Sequence, residues 1–142
     1  MRVCSHRGLI VAVLTRNEHC PPHVHVGTPD WDARIEFSFW NGGVRLWDVT
    51  PAKDAPGLAL LEELRQVVKA EANLRRARTL WWQSRQTLCL DNQAGDPATS
   101  EVVSPRSGRH GAVAIVGSVF DAVAYRTFLQ LQGQQDMLEI VL

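Results

Sequence analysis

Ala33-Arg34-Ile35-Glu36-Phe37-Ser38-Phe39-Trp40, followed by Asn41-Gly42, is the stretch on which the fold turns. Apolar Ile35, Phe37 and Phe39 alternate with polar Arg34, Glu36 and Ser38, the period of two that turns one set toward a core and the other away from it. Asn41-Gly42 is the preferred pair for a two-residue type I′ hairpin, because both central positions of that turn need a positive φ. The spacing therefore predicts a strand over 33–40 that returns into another over 44–49. On the N-terminal side, Thr28-Pro29-Asp30-Trp31-Asp32 is rich in turn residues, so a strand over 23–27 is expected to pair with 33–40 as well.

The earlier strand begins inside His19-Cys20-Pro21-Pro22-His23-Val24-His25-Val26, which holds three of the five histidines. His23 and His25, one residue apart on an extended segment, must point to the same side. Matching the apolar faces leaves two registers. One sets Val24 opposite Phe37, His25 opposite Glu36 and His23 opposite Ser38; the other sets Val24 opposite Ile35, His23 opposite Glu36 and His25 opposite Arg34. Either way Glu36 faces a histidine. A two-residue turn at Asn41-Gly42 adds Trp47 opposite Glu36 and Arg45 opposite Ser38.

Further out, 9–14 is a short apolar run, ended by Arg16-Asn17-Glu18 and read as a strand buried on both faces. From Leu58 the apolar positions Leu60, Leu61, Leu64, Val67, Val68 and Leu74 recur at helical spacing, predicting one helix over about 57–78 whose stripe covers the sheet. The segment 91–111 is polar and aperiodic, and reads as a loop or linker. Beyond it, 112–119 reads as a strand, Phe120, Val123, Ala124, Phe128 and Leu131 as a short helix, and 137–142 as a last strand. The expected fold is α+β: a small antiparallel sheet of three to five strands packed by one long helix over 1–90, and a C-terminal β-α-β extension over 112–142 docked on it.

Fifteen basic residues cancel fifteen acidic ones, so no global field draws the 142-residue chain to nucleic acid or membrane. The apolar run at 9–14 is too short to span a bilayer, and nothing after it resembles a signal-peptide cleavage site. Cys4, Cys20 and Cys89, without a CxxC pair, argue against a disulfide framework and fit a reducing cytoplasm.

Three chemistries compete for the histidines and the basic residues. His23 and His25 with Glu36, aided by His19 or Cys20, form a candidate site for Zn²⁺ or a similar ion. His23 or His25 beside Glu36 is also a candidate acid–base pair for RNA cleavage, with Arg34 or Arg45 on a phosphate. Against both stands the plain alternative of surface or interface histidines bonded to Glu36 and backbone. Arg65, Lys69, Arg75, Arg76, Arg78 and Arg85 with Trp81 and Trp82 are a candidate nucleic-acid surface, or simply a helix end that complements its dipole. No nucleophile elbow and no Gly-rich phosphate loop is present.

Glu18-His19-Cys20-Pro21-Pro22-His23-Val24-His25-Val26 also resembles, position by position, the signature of the small bacterial family catalogued as domain of unknown function 4160. Arg75 to Trp82 is similar to that family's closing His-Arg and Trp stretch, without the His. The resemblance covers about residues 5–83. It implies pairing of the toxin–antitoxin type, since family members are similar to one half of small adjacent gene pairs. The resulting expectation is a cytoplasmic binding or regulatory module rather than an enzyme, without a cofactor, that meets a protein partner or a second copy of itself. Its binding residues would be His19, Arg45 and Trp47, and the alternative is the metal-binding or RNA-cleaving use of His19, His23, His25 and Glu36.

Overall fold

A computed structural model describes residues 1–16 and 18–142; Asn17, placed by the sequence reading at the end of the first strand, lies outside the described residues. The chain forms two compact units, Met1–Ser38 with Gly42–Arg85, and Phe39–Asn41 with Gln86–Leu142. Each contains a five-stranded antiparallel sheet. The architecture is mostly β, which corrects the expected small sheet under one long helix.

The first unit is a meander of β1 (Arg2–His6), β2 (Leu9–Ala12), β3 (His23–Thr28), β4 (Trp31–Phe37) and β5 (Val44–Thr50), paired in chain order. β1 went unread in the sequence, and β2 is covered on one face only: Val11 is buried while Ile10 is 55% exposed. β3 and β4 pair in the second of the two registers, His23 with Glu36, Val24 with Ile35 and His25 with Arg34. Their turn is tight, Thr28 facing Trp31, so Asp32 belongs to β4 rather than to a loop. Gly27 makes room for it: a Cβ there would lie 2.1 Å from the Trp31 carbonyl oxygen.

The β4–β5 connection departs from the sequence reading twice. β4 stops at Phe37, opposite Val44, so six residues rather than Asn41-Gly42 alone join the strands. Phe39 has left the ladder for the core of the second unit. Its ring lies 5.0 Å from Phe120, and its carbonyl accepts the Thr127 hydroxyl at 2.6 Å. The register also shifts between Arg34, which faces Asp48, and Ile35, which faces Leu46, leaving Trp47 as the extra residue of a β-bulge.

Two helices replace the predicted one. α1 (Leu58–Lys69) packs on β5, and α2 (Glu71–Arg85) packs on β1 and on α1. The break is at Ala70, whose backbone is extended (ψ 134°); its amide turns to the Gln66 and Val67 carbonyls, and the Asn73 side chain also donates to the Val67 carbonyl. The buried stripe changes phase there. Seven residues after buried Val68 comes exposed Arg75, whereas the buried residue is Leu74, followed by Ala77, Arg78 and Trp81.

In the second unit the strand order is β10–β9–β8–β6–β7. The supposed loop at 91–111 contains β6 (Ala94–Asp96) and β7 (Glu101–Val103). The supposed C-terminal helix is a hairpin of β8 (Val113–Asp121) and β9 (Arg126–Leu131), with β10 (Leu138–Val141) beside it. Asp121 Oδ1 accepts the Val123 and Ala124 amides in its turn, and Tyr125 closes it at φ 56°. Val123, assigned to a helix stripe, is 93% exposed, while Thr127, Leu129 and Leu131 are buried with the period of a strand.

Cys4 is a free thiol, and burial pushes it above its ordinary pKa despite nearby Arg2. Cys20 and Cys89 are disulfide-bonded, which corrects the expectation of unpaired cysteines. No helix among the described residues is long and apolar enough to cross a membrane.

Candidate metal centre

Strand alternation sends Val24 and Val26 into the core and brings the His23 and His25 rings together on the opposite side, centroids 5.0 Å apart. A third residue joins them from the segment before β3. The Glu18 side chain is buried against the two imidazoles, its backbone carbonyl held by the Arg85 guanidinium at the end of α2. His23 Nε2 lies 2.5 Å from Glu18 Oε2, His25 Nε2 lies 3.1 Å from Glu18 Oε1, and the two Nε2 atoms are 3.2 Å apart.

The far side of each ring orients it. His23 Nδ1 is 2.8 Å from the Pro21 carbonyl oxygen, and His25 Nδ1 is 2.8 Å from Asp32 Oδ2. Both partners accept, so both Nδ1 atoms carry the proton and donate it. In neutral rings both Nε2 lone pairs then converge on each other and on the Glu18 carboxylate. Three electron-rich atoms at such separations repel unless a metal ion, or a proton shared with the Glu18 carboxylate, lies among them. A divalent ion bonded to two imidazoles and a carboxylate holds its donors roughly 3.0–3.4 Å apart; the 3.1 and 3.2 Å separations lie in that range, and the His23–Glu18 pair at 2.5 Å would have to open slightly to admit the ion. The Nδ1 contacts are the outer partners that orient metal-bound histidines.

Charge around the centre has the matching sign. Glu18, Asp32 and Asp48 bring three negative charges, and Arg34 brings one positive. Burial raises the Glu18 carboxyl, but the His25 hydrogen bond and the charges and hydrogen bond of both imidazoles outweigh it and hold it below the usual carboxylate value. The Arg34 hydrogen bond likewise outweighs burial at Asp48 and keeps it ionised to lower pH. Arg34 lies over Trp47, 3.8 Å from the ring centroid, and Trp47 meets His23 edge-on at 5.2 Å. Trp81 from α2 packs 5.4 Å from the same imidazole.

No family model, curated protein or solved structure matches this chain.

The geometry therefore decides which of the sequence candidates belong. His23, His25 and Trp47 do. Glu36 does not: although it faces His23 in the ladder, its carboxylate is taken by Arg45, and the carboxylate at the imidazoles is Glu18. Arg45 is 76% exposed and bound to Glu36, not at the centre. His19 is exposed and outside the converging group. Trp47 arrives through the bulge, not through the regular pairing expected of it. The basic residues of the helices mostly serve the backbone: Arg65 donates to Val44, Arg76 to Arg2, Arg78 to Ser38 and Arg85 to Glu18.

Glu18 and Asp32 are the residues that sequence reasoning passed over as site residues. Glu18 stands in the same short string as the histidines. Asp32 becomes legible once the register is known, because with Gly27 opposite it, Asp32 is the diagonal neighbour of His25.

Proposed function

We propose that this protein binds a first-row divalent metal ion, Zn²⁺ being the natural first choice, through Glu18, His23 and His25. The observation that carries the reading is the pair of Nδ1–H donors held by Pro21 and Asp32, which aim both Nε2 lone pairs at one carboxylate. Two imidazoles and a carboxylate are a donor set for Zn²⁺, Fe²⁺ and their neighbours rather than for Ca²⁺ or Mg²⁺. The binding module expected from the sequence thereby acquires a ligand. The acid–base alternative loses its support in Glu36, which Arg45 engages.

Calorimetric titration of the metal-free full chain with Zn²⁺ near neutral pH tests this. One ion per chain is expected, with binding retained in Glu36→Gln and lost in Glu18→Gln. A wild-type chain that takes up neither Zn²⁺ nor Fe²⁺ sinks the reading.

A further inference from the structure

We propose that the ion held by Glu18, His23 and His25 keeps an exchangeable coordination position, occupied by water and open to a small anion or to the oxygen of a substrate. This rests on the metal reading above and asks what kind of centre it is. Structural zinc sites close their shell with four protein donors, whereas reactive ones stop at three. Here the described residues supply three; His19 is exposed and outside the converging group, and the other nearby groups are committed elsewhere.

Asp32 and the Pro21 carbonyl sit behind the rings. Each holds an Nδ1–H, on the side of the imidazole opposite Nε2, so neither reaches an ion bound at the Nε2 atoms. Asp48 meets Arg34 with both carboxylate oxygens. Glu36 is bound by Arg45, and Cys20 is disulfide-bonded rather than a free thiolate. Trp47 and Trp81, which flank His23, carry no group that ligates.

Access and charge agree with an open position. His23 is 1% exposed and the His25 side chain 16% exposed, so His25 is the ligand that solvent touches. A divalent ion on one carboxylate and two neutral imidazoles retains a net positive charge, which favours an anionic further ligand. Water bound there would be acidified by the ion, the property that lets such centres polarise or hydrolyse substrates.

Cobalt makes the position visible. The metal-free full chain is loaded with Co²⁺, its visible absorption recorded, and azide titrated in. The expected result is a saturable change in the Co²⁺ bands with cobalt still bound after desalting, and no bands in His25→Ala. Bound cobalt whose spectrum ignores azide means a closed shell, which overturns this inference and leaves the metal site standing. Failure of the chain to bind Co²⁺ at all overturns both.

Discussion

On the first sheet, the positions alternating with buried Val24, Val26, Ala33 and Ile35 carry His23, His25, Asp32 and Arg34, with Asp48 and Trp47 set beside them by the bulge. On the second, the exposed positions of β8 are Ala114, Val116, Val119 and Asp121, alternating with residues that include buried Phe120. Both sheets are five-stranded and antiparallel, yet only the first lines its polar face with cross-strand hydrogen bonds and ion pairs that converge on one point. The second has two separate ion-pair groups, Arg126–Glu139 at 2.8 Å across β9 and β10 and Arg109 with Asp96 of β6 and Glu101 of β7 at 3.2 and 3.0 Å, set around apolar burial at Leu129, Leu131, Phe120 and Ile140. The contrast separates chemistry from scaffolding: one sheet orients donors, the other packs.

Substitutions sharpen or break that contrast. The largest effect is expected at a ligand. His25→Ala should lower Zn²⁺ affinity by more than the roughly hundredfold that losing an outer partner costs, as read by calorimetry. Leu129→Ala, at a fully buried position in the second unit, should destabilise the fold by about 2–5 kcal/mol in denaturant melts while leaving Zn²⁺ affinity unchanged. If it weakened Zn²⁺ binding as much as His25→Ala, the division of labour would fail. Asp32→Asn comes next. It removes the carboxylate that orients His25, and a loss of roughly 10- to 100-fold in affinity is expected without loss of the binding stoichiometry.

The smallest effect is a matter of pH. Hydrogen bonds from His6 and Arg7 hold the Glu63 carboxyl below its usual value of 4.5 and tie β1 to α1. A depressed carboxyl contributes stability that is fully present above its unfolded value and is lost as pH falls through the folded one. Glu63→Gln should therefore lower the melting temperature slightly near neutral pH. The difference from wild type should shrink as pH drops well below 4.5. Equal acid sensitivity in the two proteins would show that this tie contributes nothing.

How far the sequence could be read tracks the same contrast. β3 and β4 were legible because their two faces differ in polarity, so period two stands out in Val24, Val26, Ile35 and Phe37. β8 and β9 were not. Val116, Val119 and Phe128 lie among the outward positions while Thr127 is buried, and that mixture let Phe120, Val123, Ala124 and Phe128 pass for a helical stripe. The helix break at Ala70 has no Gly or Pro to mark it; its trace is the one-residue slip of the stripe between Val68 and Leu74. Of the candidate site, the histidine pair was visible and the carboxylate was misassigned. Glu36 was chosen because it is the ladder neighbour of a histidine, but Arg45, on the next strand, competes for it and holds it.

The amino-acid order alone determined that His23 and His25 share a side of an extended strand, since that follows from backbone geometry two residues at a time. It also restricted β3 and β4 to two registers by requiring apolar faces to match. Tertiary structure decided the rest. It chose the register that makes Asp32 the diagonal partner of His25, swung Trp47 to the imidazoles through a bulge, drew Phe39 out of the hairpin into another core, and folded Glu18 back under the Arg85 anchor. Those outcomes depend on competition among distant groups for the same donors, acceptors and buried volume, which no local pattern of residues contains.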